Sequence, residues 1–290
     1  MMQQVGRPPV IVIGMHRSGT GIVTQLLNDM GMQIGWLKEG NAEAWLFLLI
    51  NRWLFRKSGA RWDHPLSVRR LMGHSPLRRA YACSIRGLIS SPLRLTFLGW
   101  GGFLGGKRLL HMAEPWGWKD PRNTFTLPIW LDLFPDAKVL HVCRHGVDVA
   151  DSLRQRQLRA IESATRLQVR HSFLYFVRSL HGEFAAPMRC EVLTDGLKVW
   201  EEYTEEARRQ TSNLDSRQSL EIRYEDLLCN PEPTMRCVAE FCDLPVSAET
   251  ISGLTARLDH SRSFAFRRDP TLAEFARTEA GRLERMGYEQ

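Results

Sequence analysis

Short apolar runs alternate with helical patterns along the chain. A run rich in β-branched residues predicts a buried strand at residues 9–13, a second buried strand is predicted at 138–143, and a third strand is predicted at 219–223. Apolar residues that recur every three or four positions predict helices at about residues 20–30, from near 41 into the 50s, from 147 through the 160s, onward to about 210, and over most of the remainder. Strands that alternate with helices indicate an α/β fold, in which a P-loop-like parallel sheet is covered by helices on both faces.

The second predicted helix begins near Asn41, which is an acceptable N-cap. The residues that it turns inward are predicted to be Trp45, Leu46, Leu49 and Trp53. Beyond it, residues 56–110 are helical only in places, because prolines and a glycine cluster interrupt the pattern. At 290 residues the chain fits one sizeable domain, and residues 56–110 are predicted to be a helical, basic insert in it.

The formal net charge of +7 is concentrated in this insert. Residues 56–109 hold eleven Lys or Arg and a single acid, Asp63, so the rest of the chain is slightly acidic. Aromatic residues are interleaved with these bases: Trp62, Tyr81, Phe97, Trp100 and Phe103. This composition is typical of a surface that meets a membrane, an acidic glycan or nucleic acid, and a solvated helical face fits it equally well.

Targeting segments are not visible in the sequence. Residues 1–9 lack the apolar core of a secretory signal, and no uncharged apolar stretch approaches the roughly 18 residues that a membrane span requires. We therefore expect a cytoplasmic protein.

A glycine-bearing loop joins the first strand to the first helix. It reads Gly14-Met-His-Arg-Ser-Gly-Thr-Gly21. Between a strand and a helix N-terminus, such a loop directs backbone N–H groups and the helix dipole at an anion, while its glycines let the backbone approach closely. The residues predicted to contact a phosphate are Gly14, His16, Arg17, Ser18, Gly19, Thr20 and Gly21.

The loop departs from the nucleoside-triphosphate pattern GxxxxGK[ST]. Thr20 stands at the Lys position, Gly21 follows it, and the cation has moved to Arg17. ATP chemistry at this loop would lack both its key cation and its Mg²⁺ ligand. The loop therefore favours a group donor that needs no metal and whose leaving group is a phosphate anion. A P-loop kinase or NTPase is the alternative, and a non-enzymatic anion binder is a third class.

These residues resemble the PAPS-dependent sulfotransferase superfamily, especially its bacterial and Golgi-type branches. The superfamily's G-x-x-[RK]-S-G-T-[ST] loop binds the 5′-phosphosulfate of 3′-phosphoadenosine 5′-phosphosulfate (PAPS), and here Gly21 replaces the usual hydroxyl residue. Its second element, an arginine that ends a strand and a serine eight residues later, is similar to Arg144 and Ser152 and implies a clamp on the 3′-phosphate.

Further segments carry the same resemblance, which extends over residues 9–231. Trp118-Lys119-Asp120-Pro121-Arg122 is similar to the Lys-Asp-Pro element, in which the lysine acts on the transferring group. Arg223-Tyr-Glu-Asp-Leu227 is similar to the Tyr-Glu-Asp segment, where structural carboxylates are expected. Arg268 lies in a segment that loosely resembles the basic stretch closing over the 3′-phosphate.

The resemblance implies in-line transfer of a sulfuryl group to a hydroxyl or amine, leaving 3′,5′-adenosine bisphosphate (PAP). The cations would be Arg17 and Lys119. It also implies a glutamate base about twenty residues past the loop. Glu39 matches the family spacing better, whereas Glu43 would lie in the first turn of the helix capped by Asn41, and both remain candidates. His16 is a third.

The position of the insert indicates a role in binding the acceptor, since residues 56–110 stand between the candidate glutamates and Lys119 in the sequence. We expect residues 1–290 to be a single sulfotransferase domain with this insert as an acceptor-side cap. Aromatic residues that stack on sugars and bases that hold anionic groups favour a glycan or glycolipid, and a peptide stays open. Peripheral contact with the anionic inner face of the membrane is a further expectation, whereas no nucleic-acid partner and no metal are expected.

Overall fold

The computed structural model describes residues 6–170 and 188–288. Its strands and helices, in chain order, are β1 (Val10–Ile13), α1 (Thr20–Asp29), β2 (Lys38–Glu39), β3 (Glu43–Ala44), α2 (Trp45–Lys57), α3 (Val68–Gly73), α4 (Ser75–Ser90), α5 (Leu95–Leu104), β4 (Gly117–Lys119), α6 (Asn123–Leu133), β5 (Lys138–Cys143), α7 (Gly146–Arg170), α8 (Leu193–Thr211), β6 (Ser219–Arg223), α9 (Tyr224–Cys229), α10 (Pro231–Phe241), α11 (Ala248–Thr255), α12 (Pro270–Thr278) and α13 (Ala280–Arg285).

Four strands form a parallel sheet in the order β4-β1-β5-β6. Val12 of β1 pairs with Lys119 of β4 on one side and with Leu140 of β5 on the other, and Cys143 pairs with Arg223 of β6. The carboxyl ends of all four strands therefore lie at one edge of the sheet, which is where ligands bind in open α/β sheets. The predicted α/β fold with a parallel sheet is confirmed.

Helices pack on both faces of the sheet because most residues of its central strands are apolar and buried. One face turns residues of β1, β5 and β6 toward α1, α9, α10 and α11 in a shared core, and its strand members are Val10, Val12, Leu140, Val142 and Ile222. Side chains alternate along a strand, so Ile11 and Ile13 point to the other face, where α6 contacts β1. α3 and α4 pack in turn against α6.

An ion cluster links β5 and β6 near the middle of their pairing. His141 Nδ1 lies 2.8 Å from Glu221 Oε2, and Arg208 donates to the same carboxylate at 3.0 Å and 3.2 Å. Partial burial alone would raise the pKa of Glu221, but the hydrogen bonds from His141 and Arg208 outweigh it and hold that pKa well below its usual value.

The chain divides into two compact units, the first comprising residues 6–144 and 202–263 of the described chain, the second 145–170, 188–201 and 264–288. In the second unit, the His145 ring stacks on Phe266 with 4.2 Å between centroids. Asp148 accepts hydrogen bonds from the backbone N–H groups of Ala265 and Phe266, at 3.3 Å and 2.8 Å. The single domain with a cap at residues 56–110 stays a prediction.

The region around the second helix differs from the sequence prediction. Ala44 is extended and α2 begins at Trp45, so Asn41 is not its N-cap and Glu43 does not lie in its first turn. The hairpin of β2 and β3 occupies this position instead, with Glu39 paired opposite Glu43. The inward face is also shifted, because Phe47 and Ile50 are buried whereas Leu49 is 42% exposed.

The structure also contains three short strands that the sequence did not predict, and part of one predicted helical stretch lies outside the described residues. The pattern did not predict β2, β3 or β4, whose lengths of two, two and three residues are too short for a periodicity. Residues 171–187 of the predicted helical stretch lie outside the described residues. In the described chain, no helix is long and apolar enough to pass through a membrane.

Candidate active site

The glycine-bearing loop follows β1 at the carboxyl edge of the sheet. Gly14 has φ 136° and Gly19 has φ 91°, a conformation that side chains with a Cβ rarely adopt. A Cβ on Gly14 would lie 2.3 Å from the Val142 carbonyl oxygen, and one on Gly19 would lie 2.3 Å from the Tyr224 ring. Both glycines are therefore required by backbone geometry and by close neighbours.

Side-chain hydrogen bonds fix the loop to the sheet. The Ser18 hydroxyl is buried within reach of two acceptors, Met15 O at 2.7 Å and Val142 O at 3.0 Å. The Gly14 N–H donates to Thr124 Oγ1 at 3.1 Å. Since the Ser18 hydroxyl proton is used within the protein, this side chain holds the shape of the loop, and an anion would meet backbone donors here.

The end of the loop is the N-terminus of α1, whose first N–H groups have no acceptor within the helix. Gly21 leaves space beside it, since among the described residues outside its own helix a Cβ there would meet only the Asn41 carbonyl oxygen, at 3.6 Å. Arg17 is exposed, with φ 71°. A cation and a helix N-terminus thus lie within one short loop, an arrangement that attracts anions.

Arg144 follows β5 and lies against this loop. Its guanidinium donates to Arg17 O at 3.4 Å and to Arg262 O at 3.1 Å, and its carbon lies 4.9 Å from the centre of the Tyr224 ring. Burial raises the pKa of the Tyr224 hydroxyl, although Arg144 and Arg262 oppose this shift. The loop and Arg144, predicted to meet the same nucleotide, are neighbours.

A buried ion pair lies beside the loop, between β4 and the β2–β3 hairpin. Lys119 Nζ is 2.9 Å from Glu43 Oε1 and donates to Asn41 O at 3.0 Å. Glu43 is only 6% exposed. Because β4 pairs with β1, Lys119 stands next to the strand that leads into the loop.

Glu39, the other candidate base, has a different environment. Its carboxylate accepts two hydrogen bonds from the Arg52 guanidinium, at 3.1 Å and 2.9 Å, and the Arg52 and Glu39 side chains are 44% and 40% exposed. It is thus engaged in a surface ion pair, whereas Glu43 contacts the predicted catalytic lysine.

A buried polar network holds the start of α6 against α2. Asn51 donates to Asp120 Oδ2 at 2.9 Å and to Asn123 Oδ1 at 2.8 Å, and accepts from Thr126 at 2.8 Å and Trp130 at 3.2 Å. Asn51, Asp120 and Asn123 are fully buried. Asp120 therefore orients its neighbours, and this network fixes the segment that follows Lys119.

Arg122 is a cation of this region to which the sequence analysis gave no role. It donates to Asp120 Oδ1 at 3.1 Å and is mostly buried. Burial lowers the pKa of its guanidinium, but Asp120, Tyr203 and Glu43 more than offset this and raise it. Glu43 is thus one of the groups whose charge favours the protonated Arg122 guanidinium. In the sequence, the position of Arg122 directly after Lys119-Asp-Pro was the feature that could have indicated a role for it.

Aromatic side chains flank the loop at His16. The His16 ring makes edge contacts with Trp62, at 5.2 Å, and Tyr203, at 6.2 Å, between ring centroids. The Tyr203 hydroxyl donates to Trp62 O at 2.8 Å, and burial raises its pKa strongly. Position along the chain did not indicate Tyr203, because it lies far from the loop in sequence.

Two predicted nucleotide contacts belong to the second unit. Ser152 is half-buried on α7, and Arg268 is exposed at the end of the turn Ala265–Arg268. Their roles stay predictions. Within residues 6–170 and 188–288, no three His, Cys, Asp or Glu side chains are grouped so as to hold a metal ion.

The model of the sulfotransferase family matches residues 8–248. A search of curated proteins found no match.

Several solved structures are similar at low identity. The sulfotransferase domain of the Synechococcus PCC 7002 olefin synthase is 15% identical, with a TM-score of 0.48 over 100% of this chain and 98% of that one. A sulfotransferase from Alicyclobacillus acidocaldarius is 19% identical, with a TM-score of 0.44 over 99% and 98%. One from Mycobacterium avium is 16% identical, with a TM-score of 0.43 over 95% and 77%. These likenesses are distant, and the assignment rests on the family model: the chain belongs to the sulfotransferase family.

Proposed function

We propose that this enzyme transfers a sulfuryl group from PAPS to a hydroxyl or amine of a glycan or glycolipid, with Glu43 as the base. The observation that carries the proposal is the buried pair of Glu43 on β3 and Lys119 on β4, 2.9 Å apart, since β4 pairs with the strand that leads into the glycine-bearing loop. A base and a cation in contact beside an anion-binding loop are the groups that an in-line displacement at sulfur needs.

The loop fits the 5′-phosphosulfate end of PAPS. Its backbone donors and Arg17 suit an anion, and the space beside Gly21 lets a ligand approach the helix N-terminus. Arg144 is a second cation against the same loop and suits the 3′-phosphate of the same nucleotide. A guanidinium can bind a phosphate through two parallel hydrogen bonds.

Each residue then has a defined task. Glu43 accepts the proton of the acceptor hydroxyl, so that the acceptor oxygen can bond to sulfur. When bound, PAPS supplies the sulfuryl group, and the bond that breaks is the one between sulfur and the bridging oxygen of the 5′-phosphate. Lys119 and Arg17 stabilise the negative charge that gathers on that oxygen. Arg122 and Asp120 keep the segment after Lys119 in place.

The acceptor class is proposed from the side chains around His16. Trp62 contacts the His16 ring, which lies in the phosphate-binding loop itself. Aromatic rings offer an apolar face to sugar rings, and the surrounding segment is strongly basic. A sugar with an anionic substituent suits both features better than a small neutral phenol.

The test is transfer of labelled sulfate from PAPS to fractionated polysaccharides and lipids in the presence of a metal chelator. We expect transfer without metal and inhibition by PAP at concentrations at least tenfold below those of 5′-AMP. Arg144→Ala should remove this preference, whereas Arg79→Ala, on the exposed face of α4, should keep it. Equal inhibition by PAP and 5′-AMP in the unaltered enzyme would contradict the proposed donor.

A further inference from the structure

Four large apolar side chains are exposed on the surface next to the β2–β3 hairpin. Trp36 and Trp100 are each 59% exposed, Leu104 is 77% exposed and Leu37 is 42% exposed. We call Trp36, Leu37, Trp100 and Leu104 the apolar surface. Exposed tryptophans and leucines in one place mark an interaction site more often than isolated exposed residues do.

Backbone hydrogen bonds hold this surface together. Trp36 N–H donates to Phe97 O at 2.9 Å, and Leu37 N–H donates to Thr96 O at 2.8 Å. The Trp36 ring lies against Gly99, where a Cβ would be 3.1 Å from the ring and where φ is 69°. Gly99 thus gives Trp36 its place beside α5.

Residues of α5 continue the surface. Trp100 directly follows Gly99, and Leu104 lies four residues further on, on the same side of the helix. Apart from Thr96, every residue of α5 is apolar or glycine, although part of the helix faces solvent. A solvent-facing helix with this composition indicates that another apolar phase covers it.

Basic side chains outnumber acidic ones around the apolar surface, although Lys107 is paired with Glu114. Arg94 lies over the Phe103 ring at 4.6 Å, and Arg108 is exposed. The sequence holds no acidic residue between Asp63 and Glu114. In a symmetric dimer such a patch would face its own positive charge, whereas an anionic bilayer offers both an apolar interior and negative headgroups.

We propose that the apolar surface docks on an anionic lipid bilayer, with its tryptophans at the level of the headgroups. Tryptophan prefers this interface, and neighbouring Lys and Arg side chains add attraction to anionic lipids.

The docked surface is continuous with the hairpin that carries Glu43. Leu37 O accepts a hydrogen bond from Trp45 N–H at 3.0 Å, which closes the hairpin between them. A Cβ on Gly35 would meet Ala44 at 3.0 Å, so the segment before Trp36 packs directly on β3. Docking would therefore bring a lipid-linked acceptor to Glu43. This last step rests on the proposed function, whereas docking itself does not.

The experiment is flotation of the full chain with vesicles of phosphatidylglycerol and phosphatidylcholine, compared with vesicles of phosphatidylcholine alone. We expect binding to the anionic vesicles that weakens with salt. The double variant Trp100→Ser/Leu104→Ser should lose at least tenfold in affinity, and Arg108→Gln about fivefold. The matched control is Leu158→Ser on α7, an apolar residue that is 47% exposed and should bind unchanged.

Three results would overturn the docking proposal. The first is no flotation, and the second is flotation that the double variant retains. The third is a dimer of the unaltered chain, detected by light scattering, that the double substitution dissociates, with no binding to vesicles. PAP binding, measured on the same preparations by calorimetry, shows that each variant is folded. In the unaltered enzyme it also separates the two proposals, since PAP binding without flotation refutes docking alone, and flotation without PAP binding refutes the proposed donor alone.

Discussion

Replacing Glu43 by glutamine removes the carboxylate that Lys119 contacts and changes little else. The introduced amide keeps an oxygen that can accept from Lys119 Nζ, and the side chain keeps its size. The same substitution at Glu39 breaks only the ion pair with Arg52, in which both side chains are partly exposed. These two variants form a matched pair, because β2 and β3 place the two glutamates opposite one another in one hairpin.

The expected losses in kcat of the two variants differ by orders of magnitude. Loss of a general base lowers kcat by roughly 10²–10⁴, which corresponds to about 3–5 kcal/mol of transition-state stabilisation. Glu39→Gln should change kcat by less than about threefold, since an exposed ion pair contributes about 1 kcal/mol or less even to stability. Glutamine is preferred to alanine at position 43, because alanine would leave the buried Lys119 with neither a carboxylate nor a side-chain acceptor in its place, which would destabilise the fold by about 3–5 kcal/mol.

The assay is single-turnover transfer from labelled PAPS, with PAP affinity and the free energy of unfolding measured alongside. Glu43→Gln should lose turnover while it still binds PAP, since the loop and Arg144 are unchanged. A Glu43→Gln enzyme that keeps a third of the original kcat, or a Glu39→Gln enzyme that loses a hundredfold, would refute the assignment of the base.

Three further predictions concern stability. Gly19→Ala should lower the free energy of unfolding in urea by more than about 2 kcal/mol, because its Cβ would meet Tyr224 at 2.3 Å, whereas Gly21→Ala inside α1 should be neutral or stabilising. Asn51→Ala should lower the same quantity by about 3 kcal/mol, because buried partners of its four hydrogen bonds are left unsatisfied. Because its folded-state pKa is depressed, Glu221 stabilises the protein above the usual glutamate pKa, and this contribution is lost as the pH falls. Glu221→Gln should therefore flatten the decline of the melting temperature below about pH 5, and an unchanged decline would argue against this ion cluster.

The sheet was predictable where its strands are long enough to show a pattern. β1, β5 and β6 have four, six and five residues, and they lie where strands were predicted from the sequence. β4 has three residues and exists because it pairs with β1, so its signal is non-local. That pairing is also what brings Lys119 beside the loop.

The candidate bases show the same limit. Glu39 and Glu43 lie four residues apart, and no local pattern distinguishes their surroundings. The partner of Glu43 is 76 residues away in sequence, on β4, whereas that of Glu39 is 13 residues away on α2. Sequence reasoning could name both glutamates, but only tertiary structure separates a buried carboxylate from a surface one.

Arg17 adopts a left-handed backbone conformation, with φ 71°, that glycine would occupy without strain. Holding a residue with a Cβ in this region costs about 1 kcal/mol. Selection of variants for heat resistance alone would therefore favour glycine at this position and would discard the positive charge with it. Stability of the fold thus favours glycine at position 17, whereas the charge of the loop requires arginine there.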